Sequence, residues 1–270
     1  MNKIDINKLI IGIKSAGEMA TGVAFRLYKS NIKKIFMMEI ENPLAVRRKV
    51  SFSEAIHNDK TIVENIKAVK VSHINEINHA WNEKNIPIIV DPHWKSIKKI
   101  QPHVVIDAII AKQNLGTTLN EASLVIGLGP GFTAQQDVHM IIETNRGHNL
   151  GQIILSGSAQ PNTSIPGTIN GFNKQRVLRA PCAGYFNSKL KIGTIVKIGQ
   201  AIGNVNEKNV NTKINGILRG MIKIGTYVKK GMKIGDVDPR KEISYCNTIS
   251  DKSRAVAGGV LEAILRKYNN

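Results

Sequence analysis

Between Val125 and Gly151 the chain reads VIGLGPGFTAQQDVHMIIETNRGHNLG. A strand over 137–143 would place Asp137, His139 and Glu143 on one face and Val138, Met140 and Ile142 on the other. Arg146 and His148 follow, around Gly147 and Gly151, where the backbone can turn tightly or admit a ligand. Carboxylates, imidazoles and a guanidinium this close together suit proton transfer or the grip of a polar ligand. The competing reading is a solvated edge strand with an Asp–Arg pair. The glycine-tight turn at Gly129 and Gly131 leads into this segment, and both glycines are candidate contacts for a ligand. Histidine and carboxylate together could also hold a divalent ion, but no HExxH or comparable spacing occurs, and no metal site is predicted. A further candidate is Cys246, just ahead of a predicted helix. A thiol near a helix N-terminus can have its pKa lowered and become a nucleophile, although a single cysteine is more commonly an inert core residue.

The elements that would position these groups point to an α/β fold. The apolar run LIIGI at 9–13 has the look of a buried parallel strand and leads into KSAGEMATG. Ala20, Val23, Ala24 and Leu27 then repeat at helical spacing. A second run, Ile35 to Met38, ends in Glu39, 22 residues after Gly17, the distance at which a dinucleotide fold places an acid on a ribose hydroxyl. The glycine fingerprint is incomplete, because Ser15 stands at its first position and Ala20 at its last, so a plain βαβ turn without a ligand is the alternative. Further strands are predicted at 86–90 and 104–110, the second carrying Asp107 into a loop with Lys112 and Asn114. Those residues, with Ser15, Gly17, Glu39 and the adjacent guanidiniums of Arg47 and Arg48, are the candidate contacts for a phosphorylated ligand. The bland reading of the arginine pair is a solvated helix start.

The chain has 270 residues, 42% of them hydrophobic, which is enough for two domains with proper cores. No apolar run reaches membrane-spanning length, and the charged N-terminal stretch lacks the uninterrupted apolar segment of a signal peptide, so no membrane association and a cytoplasmic location are expected. Cys182 and Cys246 are far apart and fit a reducing compartment. The formal net charge of +18 is spread along a lysine-rich chain without a dense basic block, and aromatic content is 5%; nucleic-acid binding is not predicted.

In the second half, GYFNSKLKIGTIVKIGQAIGNV at 184–205 recurs as GILRGMIKIGTYVKKGMKIGDV at 216–237. Eleven of these 22 positions are identical, so this is an internal repeat of short strands separated by glycines. Neither half could bury its apolar face alone, and two clasped halves would share one core. The pattern resembles the biotinyl/lipoyl carrier domain. That resemblance implies a barrel-sandwich fold, but the connection NEKNVN is shorter than the carrier hairpin and Lys208 lacks methionine-like neighbours, so no modification is expected. A final helix is predicted after a cap at Ser250 or Asp251, with Ala257, Val260, Leu261 and Ile264 buried and Gly258-Gly259 packed closely. The expected organisation is therefore a Rossmann-like parallel-sheet domain over 1–175, an all-β module over 176–240 and a helix over 241–270 that returns to the α/β domain.

Read together, AGEMATGVAFRL, MEIENPLAVRRKVSFSEA, DAIIAKQNLGT, VIGLGPGFTAQQDVHMIIETNRGHNLG, GSAQPNT, KIGDVDPR and YCNTISDKSRAVAGGVLEAIL resemble the accessory protein of the selenium-dependent molybdenum hydroxylase system, over nearly the whole chain. Departures fall at Lys14-Ser15, where arginine and glycine are usual, and at Cys182, where alanine is usual. The resemblance implies a maturation factor for molybdenum hydroxylases of the xanthine dehydrogenase type. Its partners would be the hydroxylase apoprotein or the maturation machinery, and its cofactor a phosphorylated molecule of dinucleotide or molybdopterin type. On that reading Gly17, Glu39, Arg47 and Lys112 bind phosphate, the Asp137, His139, Glu143 and His148 group binds the polar end, and Cys246 handles sulfur or selenium. Two other classes stand beside it: an NAD(P)-dependent oxidoreductase in which Glu39 selects NAD and His139 is the acid or base, and a non-enzymatic scaffold that docks the hydroxylase. Whether the chain is an enzyme is left open by the residues themselves.

Overall fold

The computed structural model describes residues 5–269. The chain divides into two compact units: unit 1 is Met1–Pro43, Phe52–Asn162 and Ile249–Asn270, and unit 2 is Leu44–Ser51 and Thr163–Thr248.

Unit 1 is α/β. Its strands are β1 (Ile10–Lys14), β2 (Lys34–Glu39), β3 (Lys60–Val63), β4 (Ile66–Val71), β5 (Ile86–Val90), β6 (Val104–Asp107), β7 (Leu124–Leu128), β8 (Met140–Ile142) and β9 (Ile153–Ile154). They form one nine-stranded sheet in the order β3-β4-β5-β2-β1-β6-β7-β8-β9. Pairing is parallel from β4 through β8, and only the edge strands β3 and β9 run antiparallel. Strands buried on both faces need continuous apolar runs, and β1, β2, β6 and β7 supply them. The helices are α1 (Glu18–Lys29), α2 (Ala55–Asn58), α3 (Ile77–Asn82), α4 (Lys95–Ile100) and α5 (Asp251–Tyr268).

Helix α1 buries the four residues whose spacing predicts its apolar face. Helix α5 packs along α1, where a Cβ on Gly22 would collide with the Ser253 hydroxyl. The Ser250 side chain caps α5 by accepting from the Ser253 N–H, and Val256, Ala257, Val260, Ala263 and Ile264 form its buried stripe. Leu261, expected in that stripe, is only half-buried. Of the two mid-helix glycines, Gly259 lies against the Gly151 carbonyl and has no room for a Cβ, whereas Gly258 has open space. Two predicted strands are shorter than their apolar patterns suggest. The one expected over 104–110 stops at Asp107, and the one expected over 137–143 is only Met140–Ile142, because 135–137 form a turn in which Asp137 N–H donates to the Thr133 carbonyl.

Unit 2 consists of β10 (Val177–Arg179), β11 (Gly184–Asn187), β12 (Ile195–Val196), β13 (Ala201–Val205), β14 (Lys208–Asn211), β15 (Gly216–Met221), β16 (Tyr227–Val228) and β17 (Lys233–Asp238). Two four-stranded sheets result, β10-β17-β15-β12 and β14-β13-β11-β16. The repeats exchange strands: β12 of the first copy pairs with β15 of the second, and β16 of the second pairs with β11 of the first. The shared core includes Phe186, Val196, Ile202, Leu218, Val228 and Ile234. Leu44–Ser51 joins this unit, with the Val46 carbonyl accepting from Met221 N–H at 2.8 Å. Among the described residues, no helix is long and apolar enough to cross a membrane.

Candidate functional site

The C-terminal edge of the unit 1 sheet gathers most of the polar side chains that the sheet itself carries. At the end of β1 the chain turns through Ser15, whose φ of 82° lies in the left-handed region, and enters α1 with Gly17 as N-cap. Glycine offers no side-chain acceptor to the first helical turn, so the positive end of α1 is not covered by its own cap. Glu39, at the end of the adjacent β2, reaches across: one carboxylate oxygen accepts from Ala16 N–H at 2.8 Å and from the Ser15 hydroxyl at 3.3 Å, and the other accepts from Ile40 N–H at 2.8 Å. The Ser15 hydroxyl accepts in turn from Gly17 N–H at 3.1 Å. Burial pushes the Glu39 pKa up despite the backbone donors at Ile40 and Ala16 and the Ser15 hydroxyl. The structure thus brings Ser15, Gly17 and Glu39 together.

Beside them is a residue that stands out in the sequence only as a departure from the resemblance, not as part of a site. Lys14 is fully buried. Its ammonium donates to Thr117 Oγ1 at 2.7 Å and to Glu121 Oε1 at 2.8 Å, is held by Oε2 at 2.8 Å through charge, and lies 3.9 Å from the centre of the Trp94 ring. Thr117 donates onward to Asp107 at 2.6 Å, and Asp107 is the register partner of Lys14 across the β1–β6 pair. Desolvation lowers the Lys14 pKa, against the pull of Glu121 and Asp107. A lysine closing an apolar strand is an available signal, but its natural reading is a solvated strand end, and its carboxylate partner is more than a hundred residues away in the chain. Asp107 therefore works inside this cluster, with its other oxygen accepting from Ile109 N–H. Asn114 staples the loop by accepting from Gly116 and Thr117 N–H groups and donating to the Thr117 carbonyl. Lys112 is exposed on the same loop, in the left-handed region at φ 67°.

Asp137 accepts from Thr133 N–H at 2.7 Å, and Glu143 from Asn145 and Gln160 N–H groups at 2.7 and 2.8 Å, so each carboxylate holds its own loop. His139 Nδ1 accepts from Val125 N–H at 3.0 Å, and burial followed by Lys267 pushes its pKa down. His148 is exposed in the turn before Gly151, while Arg146 pairs with Asp251 through two bonds of 2.7 Å. Gly129 and Gly131 adopt φ of 77° and 112°, and added Cβ atoms would strike Thr144 and the Gln113 backbone; packing accounts for both. Arg47, Arg48 and Cys246 belong to unit 2. Arg47 is buried and donates to the carbonyls of Tyr245 and Thr248. Cys246 lies in a 3-10 turn (Ile243–Cys246) and not at the start of α5; it is fully buried, and burial raises its thiol pKa over the opposing pull of Lys49, Arg47 and Arg219, which favours the inert core cysteine over the low-pKa nucleophile. Among the described residues, no three His, Cys, Asp or Glu side chains gather as a metal ion would require.

No family model matches the chain. A curated relative, the uncharacterized protein YqeB of Escherichia coli (strain K12), is 44% identical over 256 residues, covering 95% of this chain and 47% of its own length. The chain thus spans about half the length of the curated relative it matches. Among solved structures, a succinylglutamatedesuccinylase/aspartoacylase from Rhodobacter sphaeroides aligns with 24% of this chain and 22% of its own at 21% identity and a TM-score of 0.21. TcdA (CsdL) aligns with 98% and 90% at 11% identity and a TM-score of 0.35. The ectoine utilization protein EutE (DoeB) from Ruegeria pomeroyi, in its product-bound form, aligns with 84% and 56% at 10% identity and a TM-score of 0.23. The curated relative corrects the resemblance to the accessory protein of the selenium-dependent molybdenum hydroxylase system: it is uncharacterized and bears no molybdenum hydroxylase or selenium name. A maturation role is withdrawn with it, as are the oxidoreductase and the hydroxylase-docking scaffold, which nothing in these comparisons supports.

Proposed function

We propose that unit 1 is a Rossmann-like binding domain that takes a phosphorylated small molecule at the C-terminal edge of β1 and β2. The observation that carries this reading is the strand order. With the β3–β4 hairpin set aside as an edge addition, β5-β2-β1-β6-β7-β8 stand in the sequence 3-2-1-4-5-6 and reverse between β1 and β6. Open parallel sheets take ligands outside the strand ends at such a reversal. The helix that begins there is α1, and its N-cap supports the same reading. A Cβ at Gly17 would meet only the Ser15 hydroxyl, at 3.6 Å, and its φ of −68° suits any residue, so neither packing nor backbone demands glycine. Clearance for a phosphate against the N–H groups of the first turn does. Glu39 supplies an acceptor beside that point for a hydroxyl of the same ligand.

The test is a thermal-shift series on the full chain with NAD, NADP, ADP, ATP and inorganic pyrophosphate. A ligand at 100 times its Kd stabilises a one-site protein by about 2.7 kcal/mol, which is readily measured. At least one of the five is expected to raise the Tm, and Gly17→Val to cancel that rise while leaving the ligand-free Tm in place. A flat response to all five overturns the reading. For unit 2 we read the exchanged sheets as an unmodified barrel-sandwich of biotinyl/lipoyl type, supported by the repeat and by its pairing across copies. An intact mass carrying no adduct on Lys208 is the expected result.

A further inference from the structure

We infer that unit 1 has a second ligand site, a cleft beside Trp94 that takes a small aromatic acid. The cleft has a volume of about 970 Å³ and is lined by Trp94, Ile97, Lys98, His103, Leu115 and Glu121 among others. Its size falls in the range of pockets that enclose small molecules. It includes none of Ser15, Gly17 and Glu39, so it is separate from the phosphate site proposed above.

Trp94 is held there at a cost. Its φ of 56° and ψ of 30° are left-handed, an arrangement that costs a bulky residue about 1–2 kcal/mol. The position is over-determined by the buried ammonium of Lys14, which stacks 3.9 Å from the ring centre. The indole therefore presents a fixed aromatic wall to the cleft, and Ile97 and Leu115 add apolar area for a flat ring.

The charges in the cleft select the sign of the ligand. Glu121 Oε1 accepts from Lys14, Oε2 lies 2.8 Å from the same ammonium as an ion pair only, and the side chain is only 16% exposed. Lys98 is exposed on α4. His103 Nδ1 accepts from Ile10 N–H at 3.0 Å, so in the neutral ring the proton is on Nε2, a donor. A cation already stacked on the indole opposes a second one on the same ring, and with Lys14 neutralised by Glu121 it is Lys98 and His103 that favour an anion. Aromatic face, apolar wall, ammonium and N–H donor together match an aryl carboxylate.

Calorimetric titration of the full chain with benzoate, benzamide and benzamidinium tests this. Benzoate is expected to bind saturably, benzamide about tenfold more weakly, and benzamidinium more weakly still. Lys98→Gln, a surface change that leaves the fold alone, should weaken benzoate by roughly threefold and leave benzamide unchanged. Trp94→Leu should weaken both. Because Trp94→Leu also removes the stack on Lys14, the Lys98→Gln result decides the matter if that variant fails to fold. The inference is overturned if benzoate shows no saturation up to about 20 mM, if benzamidinium binds as well as benzoate, or if Lys98→Gln leaves benzoate unchanged. None of these outcomes depends on Gly17 or pyrophosphate, so the two site proposals fail separately.

Discussion

Removing the carboxylate of Glu121 strips Lys14 of its direct ion-pair partner, leaving only the Thr117-bridged Asp107 charge, while the ammonium stays sealed from water, and that asymmetry orders the effects of substitution at this edge. Breaking a buried pair by deleting one partner costs about 3–5 kcal/mol when the survivor stays buried. Glu121→Gln should approach that range. Lys14→Met should cost less, because Glu121 retains some access to solvent. The double variant should cost less than the sum, since neither charge is then left alone. Urea midpoints followed by tryptophan fluorescence are the measurement, and they report unit 1 alone, because Trp81 and Trp94 both lie in it. Glu39 carries a pH signature of its own. Its folded pKa is raised by burial, so the folded state holds a proton over a window above the ordinary carboxylate range that the unfolded chain does not. Stability should therefore fall as pH rises through that window, and Glu39→Gln should flatten the fall. Of the groups at this edge, Ser15, Gly17 and Glu39 are legible in the sequence because strand, turn, helix and acid follow one another at fixed distances. Lys14 and Glu121 are not, because nothing local joins them.

Helix α5 shows how two neighbouring glycines can have opposite roles. Gly258 has open space around its Cβ position, so Gly258→Ala should gain about 0.5–1 kcal/mol from helix propensity. Gly259 abuts the Gly151 carbonyl and the Ile142 side chain, so Gly259→Ala should lose about 1–3 kcal/mol by forcing α5 from the β8–β9 loop. The Tm of each variant decides. Periodicity announces the helix and its stripe, but which glycine is needed depends on a carbonyl more than a hundred residues upstream. The strand expected over 137–143 illustrates the reverse failure. Alternation of apolar and polar residues is real there, yet Asp137 binds the Thr133 N–H and closes a turn, and that local bond outcompetes extension. What looks like a catalytic face is in part loop stapling.

At the scale of the whole molecule, acid should act on unit 2 through its buried carboxylates. Burial alone would raise the pKa of Asp236, but Lys233, Arg219 and Arg176 outweigh it and hold it low; for Asp238, bonds from Arg240 together with the Arg219 charge do the same. Stability from these groups is present above the ordinary carboxylate range and is lost as pH falls through their lowered values. Asp236→Asn, which leaves Arg176 and Arg219 facing a neutral amide, should cost unit 2 about 3–5 kcal/mol. Acid titration monitored at Tyr185 and Tyr227, an edge-to-face pair in that unit, follows both effects. The duplication is plain in the sequence; the exchange of β12 and β16 between copies is not, because similarity tells which segments are alike and not which ones pair. That weave of chain has a consequence for synthesis. Unit 2 draws on Leu44–Ser51 and on both repeats, and unit 1 draws on α5, which leaves the ribosome only after all of unit 2 has been made. Unit 2 can therefore close before unit 1, although it lies inside unit 1 in the chain. The nascent sheet must wait, with its α5-facing surface uncovered, while an entire second unit is translated, and a pause or cleavage within 163–248 would strand it unfinished.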